Sequence, residues 1–321
     1  MIHPPRPLPP ARYGNDLPPP GLVDYGALVA MTLLWGSTFL FTAIALDGYG
    51  PGELVAARLL LGGIALMIPA LALGQIIRPA PAHLAKLVVL GLLGYAVPFV
   101  AIAWAQQWVT SGLAAIFLST MPLFILVLSR LILKEHVSLR KWAGFGVGLV
   151  GLVLLIGPEV LLTAGSTSAA PQLALLLAIT CFACSSILVR TLPPMPSMQT
   201  TGLALLFGGL ALAPFSAASF LTTTDRMLRT ARSAEDLIPF GAILFLGIVL
   251  AGFGQTIRIH TIKLRGPVFF SITGYMIPLW ATVLGVLVLG EKVTTIKMVA
   301  FVVIVAGLVL AQSRAAPPPS G

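Results

Sequence analysis

Acidic residues are scarce in this chain. Ten Asp and Glu are spread over 321 positions, and none falls in the middle of an apolar segment. That argues against a coupling carboxylate of the kind proton-driven pumps carry inside the membrane. It also leaves no convergent acid pair for catalysis. Charge of either sign is thin, at 9% of residues, against about 25% in soluble domains. Cysteine is nearly missing. Cys181 and Cys184 stand three apart in one apolar segment, which excludes a disulfide framework. No His or carboxylate lies close enough in sequence to complete a metal site, so both read as small helix-packing residues. His260, just after Arg258, reads as a loop histidine or as a proton shuttle. There is no HExxH pair and no glycine-rich loop leading into Lys-Ser/Thr. No cofactor, no metal and no catalytic residue are expected.

What is abundant is hydrocarbon. Hydrophobic residues make up 58% of the chain, and the mean hydropathy is +1.01. A helix needs about 20 apolar residues to cross a bilayer. Ten apolar segments are expected to do so, near 25–46, 53–74, 84–104, 110–132, 140–158, 170–190, 199–220, 237–257, 266–289 and 294–313. The fold class is therefore all-α, a polytopic membrane protein with only short loops. The first 20 residues hold eight prolines and no apolar core. The first apolar run is accordingly expected to be a retained span rather than a cleaved signal. The organisation expected is a Pro-rich disordered tail over 1–22, a unit over 23–158, a linker over 159–169, a second unit over 170–313 and a disordered tail over 314–321.

The net charge of +9 does not point to nucleic acid, because the basic residues are scattered among short loops. With the N-terminus inside, thirteen Lys and Arg fall on the inner side, five on the outer and Arg58 within a span. This bias places both termini in the cytoplasm. The exception is the 221–236 region. It carries three arginines together with Asp225, Glu235 and Asp236 and reads as an amphipathic surface segment.

The chain repeats itself. Pro122–Leu154 aligns without a gap on Pro278–Leu310, 156 residues later, with fifteen of 33 positions identical. The matches include Glu135 with Glu291 and Gly151 with Gly307. More faintly, Gly62-Gly63-Ile64-Ala65-Leu66 returns as Gly208-Gly209-Leu210-Ala211-Leu212. These glycines, and Gly144-Phe145-Gly146-Val147-Gly148, read as faces for close helix packing. Five segments in each half is an odd number, so the halves are expected to cross the membrane in opposite directions. Inverted repeats of this kind mark a carrier with its site at their interface.

Trp35-Gly36-Ser37-Thr38, Ala57-Arg58, Met121-Pro122-Leu123 and Leu133-Lys134-Glu135 follow one another in a fixed order. The last two return as Ile277-Pro278-Leu279 and Leu289-Gly290-Glu291. Together they resemble the EamA-type members of the drug/metabolite transporter superfamily over about residues 24–313. The resemblance implies ten helices in two pseudo-symmetric halves around a central cavity. It also implies export or exchange of small metabolites, amino acids among them. The partners expected are a small-molecule solute and the lipid bilayer of a cell inner membrane. The oligomeric state is open, a homodimer included. The rival readings are a receptor or scaffold that moves nothing, and an intramembrane enzyme.

Substrate-binding candidates follow from the cost of polar groups in hydrocarbon. Arg58 either binds an anionic group, pairs within the bundle or snorkels to the interface. Pro122 and Pro278 are read as mid-helix kinks lining the cavity, or as packing kinks alone. Trp35, Ser37, Tyr95, Trp104, Ser119, Gln255 and Tyr275 complete the set, within a wider group that includes Thr38, Thr120, Ser185, Ser271, Thr273 and Trp280. Trp104 and Trp280 have interfacial anchoring as the alternative. Glu135 and Glu291, at opposite faces, read as caps or loop anchors.

Overall fold

The computed structural model describes residues 21–132, 134, 138–156, 169–189, 191–231, 233–254, 257 and 273–312. Among them there are helices and turns and no strand. We number the helical segments in chain order: α1 (Leu22–Leu46), α2 (Pro51–Ala72), α3 (Pro81–Ala105), α4 (Ser111–Ile132), α5 (Leu139–Ile156), α6 (Ala169–Val189), α7 (Ser197–Thr230), α8 (Glu235–Gly254), α9 (Thr273–Leu289) and α10 (Thr295–Gln312). The first eight are long and apolar enough to cross a membrane. The last two are apolar but shorter, and occupy the positions expected for the ninth and tenth spans. Many large apolar side chains remain exposed on the outside of the bundle, such as Val150 and Val153 on α5 or Leu287 on α9. A soluble protein would not leave so much apolar surface uncovered; in a bilayer it faces lipid.

Helix starts follow local chemistry. Asp24 Oδ2 accepts from the backbone N–H of Gly21 at 2.8 Å. Pro51 and Pro81 open α2 and α3, where a missing N–H costs nothing. α7 runs 34 residues, about 50 Å at 1.5 Å per residue, well beyond the ~30 Å hydrocarbon core. The region expected to be a surface segment is thus largely the end of this helix. It folds over the α1–α2 turn. Tyr49 Oη lies 2.9 Å from Thr224 Oγ1, and Tyr49 stacks on Phe220. Asp225 and Arg229 pair along its exposed face.

The helices pack in matched pairs. α2 lies on α7, α5 on α10 and α4 on α9. The contact of α1 with α9 has a counterpart in α6 with α4. Likewise α1–α8 matches α6–α3, and α2–α8 matches α7–α3. Every one of these contacts maps onto another, or onto itself, when the first five helices are exchanged with the last five.

Two backbone details repeat at the same 156-residue offset. A π-helical stretch, Leu92–Ala96, interrupts α3, and another, Phe245–Gly254, ends α8. Lys134 and Gly290 both take left-handed backbone, at φ 53° and 65°. Glycine adopts that conformation without cost, whereas a lysine is strained there. The expected glycine faces are real. A Cβ on Gly62 would approach Gly247 O to 3.2 Å, and one on Gly208 would approach Gly91 O to 2.7 Å. Gly62 with Gly247, and Gly208 with Gly91, are thus contacts where backbones meet.

Glu291 joins the halves. Its carboxylate folds back over Gly285 to the start of α4. There Oε1 accepts from Ser111 N at 2.6 Å and Oε2 from Gly112 N at 3.3 Å. Thr110 Oγ1 accepts from Leu113 N, so three of the free N–H groups at this helix end are satisfied. Glu291 is therefore a cap, as one of its sequence readings held; Glu135 lies outside the described residues. Glu291→Ala should destabilise the protein by about 2 kcal/mol, combining cap and charge-assisted bonds. Glu291→Gln should cost about half as much, since its amide nitrogen cannot accept. Thermal unfolding of both variants in detergent checks the order; equal stability of all three proteins would remove the cap.

Candidate functional site

Arg58 lies about 10 Å along α2 from Pro51 at 1.5 Å per residue. Its side chain is buried in the helix bundle. The residue is 7% exposed, and its guanidinium carbon sits 4.2 Å from the centre of the Phe99 ring. Its Nε has no hydrogen-bond partner, and no carboxylate among the described residues pairs with it. The side chain borders a cavity of about 40 Å³ lined by Thr38, Phe39 and Thr42 of α1, Leu54, Val55 and Arg58 of α2, Phe99, Ile102 and Ala103 of α3, and Leu118 of α4. A water needs roughly 10–15 Å³ on this measure, so the space holds two or three. Every lining residue among those described belongs to the first half of the chain. The expectation of a site at the interface of the halves is therefore not met by this cavity.

Thr32, on the same helix, donates its hydroxyl to Leu28 O at 2.9 Å, the usual habit of a helical threonine. Thr38 and Thr42 make no such bond among the described residues, which leaves their hydroxyls for the cavity. Beside it, Gln106 Nε2 donates to Phe39 O at 2.9 Å, and Ser111 Oγ to the same oxygen at 3.4 Å. These bonds tie the end of α3 and the start of α4 to Phe39 within α1.

The other candidates are distributed as follows. Tyr95 lies in the π-helical stretch and meets Phe99 edge-on at 6.1 Å; Phe99 in turn meets Phe182 of α6 at 5.7 Å. Trp35 is half-buried on α1 near Gly254 of α8. Ser37 donates to Leu33 O and accepts from Trp280 Nε1 at 3.3 Å, so that pair joins α1 to α9. Ser119 is buried and donates to Ile116 O at 2.6 Å. Tyr275 is half-buried, and its hydroxyl has no partner among the described residues. Pro278 is buried within α9, where Thr282 Oγ1 donates to its carbonyl at 2.8 Å.

Two candidates depart from expectation. Pro122 does not kink a continuous helix. α4 breaks at Thr120, and Pro122 is the exposed second residue of the piece Met121–Ile132, a position where proline fits without strain. Trp104 is exposed and leans on Trp108, with ring centres 4.6 Å apart, and does not line the cavity among the described residues. Gln255 lies outside the described residues. Among the described residues of the proposed set, Arg58 lies in the cavity wall, joined there by Thr38 of the wider group. Phe99, Thr42 and Leu118 were not singled out from sequence. The i,i+4 spacings of Tyr95 with Phe99 and of Thr38 with Thr42 were the available signals.

A family model described as the EamA-like transporter family matches residues 24–157 and, a second time, residues 170–312. The chain belongs to the EamA-like transporter family. This EamA-type protein is 28% identical over 291 residues to the uncharacterized inner membrane transporter YedA of Escherichia coli K12, covering 89% of each chain. It is 30% identical over 129 residues to a probable terminal-alkyne amino-acid exporter of Streptantibioticus cattleyicolor, over 40% of this chain and 43% of that one. A crystal structure of a protein 19% identical to it superposes with a TM-score of 0.57, covering 90% of this chain and 97% of the other. That likeness concerns the fold alone.

Proposed function

We propose that this EamA-type transporter is a permease that moves a small organic solute, an amino acid or a related metabolite, by alternating access. It works in the inner membrane as an exporter or exchanger. The observation that carries the reading is the exchange symmetry of the helix contacts. A molecule built from two interchangeable halves has two packings of nearly equal energy, one the image of the other. The doubled family match, the doubled π-helical stretch and the doubled left-handed turn all support two inverted five-helix repeats. In this reading the short α9 and α10 are the ninth and tenth crossings. The relative named as an amino-acid exporter supports the solute class and the direction. Closure at one end rests on Glu291 and Gln106, which join the ends of α3 and α9 and the start of α4, and tie them to Phe39 of α1. Opening the site to that side requires these bonds to part.

Purified protein in liposomes tests the function. A panel of labelled metabolites should yield at least one saturable flux; product formation, or no flux with any metabolite, would favour the enzyme or scaffold instead. Topology is tested separately. Reporter fusions at Ser166 and after Arg314 should report outside and inside respectively, from the thirteen-to-five count of basic residues. Both on one side would reject the inverted arrangement.

A further inference from the structure

We infer that the Arg58 cavity binds the carboxylate of an organic acid whose body is apolar and which carries no ammonium group. The inference rests on the permease reading for where the acid goes afterwards and narrows its solute class from amino acids to related acids that lack the ammonium; binding itself does not depend on it.

The cation is buried and short of partners. Arg58 is more than nine-tenths removed from solvent, and its Nε is unbonded. Phe99 offers a π-face, which offsets part of the cost of desolvation and leaves the planar fork free at its edge. The nearest acid on its own helix, Glu53, is committed elsewhere: it accepts from Gly50 N at 3.2 Å and from the hydroxyl of Ser219. The fold does not need a cation at this place. Extending the match of Gly62 with Gly208 back by four residues sets Arg58 against Ala204, which is fully buried beside Gly91. The first half therefore carries a charge that its copy lacks, in a cavity that its own residues leave unneutralised.

The remaining walls define the ligand. Phe39, Leu54, Val55, Ile102, Ala103 and Leu118 present hydrocarbon. Thr38 and Thr42 supply two hydroxyls, enough to complete the hydrogen bonding of a carboxylate held by the guanidinium. An ammonium group would find no acid: none lines the cavity among the described residues, and none of the ten in the sequence falls in the middle of an apolar segment. Stripped of water, it would be left with hydroxyls alone. The volume of about 40 Å³ admits a carboxylate-sized group, so the apolar body enters only as the walls part. The break at Thr120, two residues from Leu118, is the point in the wall where helical bonding is already interrupted.

Isocaproate, leucine and isoamylamine share one branched chain. They carry a carboxylate alone, a carboxylate with an ammonium, and an ammonium alone. Calorimetric titration of the full-length protein in detergent should give saturable binding of isocaproate and none of isoamylamine. Leucine should bind roughly tenfold more weakly or worse, from the unpaired ammonium. Arg58→Gln should weaken isocaproate roughly ten- to a hundredfold. Thr42→Val, which keeps the shape, should weaken it roughly fivefold, so the inference is testable even if the arginine variant fails to fold. Leucine binding as tightly as isocaproate, isoamylamine binding, an unchanged Arg58→Gln or no saturable heat with the wild type would each overturn the inference. So would chloride competing as effectively as isocaproate, which would mark an inorganic anion site. Flux of any solute into liposomes without saturable isocaproate binding would overturn it and leave the permease standing. Isocaproate binding without flux of any solute would do the reverse.

Discussion

Arg58→Met is expected to unfold at a higher temperature than the wild type while losing most of its transport. The two effects have opposite signs because the arginine is a cost to the fold and a tool for the site. An unpaired cation in a protein interior carries a desolvation penalty of several kcal/mol. Its contact with the Phe99 ring returns about 2 kcal/mol at most. Desolvation wins, so an apolar side chain of similar length should gain about 1–3 kcal/mol. Transport should fall at least about tenfold, since a bidentate charge-assisted pair contributes about 1.5–3 kcal/mol to binding. Arg58→Lys separates charge from shape. The ammonium keeps the charge and gives up the planar fork and its stacking on Phe99. It should transport about tenfold less than arginine and more than methionine. A purely structural role predicts another order: Arg58→Met would melt lower, and flux at unchanged protein level would track stability. Wild-type flux in Arg58→Lys for every solute would remove Arg58 from the site.

The sequence expectations and the structure part company at identifiable residues. Helix positions were legible because runs of apolar residues long enough to span lipid have few other uses, and the helical segments fall where expected to within a few residues, apart from the end of α7; residues 266–272 of the ninth expected segment lie outside the described residues. α7 was cut short because residues 221–230 are polar. Helical bonding continues through them, supported by Tyr49 and by the Asp225–Arg229 pair. Pro122 was misread because proline in an apolar run signals a kink, but at the second residue of a helix it signals a start. The break at Thr120 that changes its meaning has no marker in composition. The π-helical stretches were invisible for a related reason: Leu92–Ala96 is as apolar as its neighbours, and it packs on α7 and α6. Arg58 was visible as an anomaly, but its three readings differed only in what surrounds the guanidinium. That depended on Phe99, Thr38 and Thr42 arriving from two other helices.

Gly307→Ala is expected to destabilise the protein by about 3 kcal/mol, and Gly144→Leu by more. α5 and α10 meet through small residues. A Cβ on Gly144 would stand 2.5 Å from Ala311 N and 2.6 Å from Gly307 O, and one on Gly307 would stand 2.7 Å from Gly144 O. One on Gly151 would meet Ile304 N at 2.8 Å. The obstacles are backbone atoms, which cannot rotate away, so the helices themselves must separate. Overpacking costs about 1–3 kcal/mol when side chains can adjust; here the dispersion contacts along the whole pair weaken as well. In lipid those contacts and the close approach of small residues are the main attraction between helices. The internal control lies on the same helix. Gly146 has open space around its Cα, so Gly146→Ala should be neutral or should gain up to about 1 kcal/mol in helix propensity. Thermal unfolding in detergent ranks the variants. If Gly144→Leu matched Gly146→Ala, the α5–α10 contact would not hold the two halves together at this end, and the close packing deduced from the 156-residue repeat would be wrong for its best-matched segment. A loss confined to Gly144 and Gly307 would locate a joint between the repeats at the pair where the sequence copy is clearest.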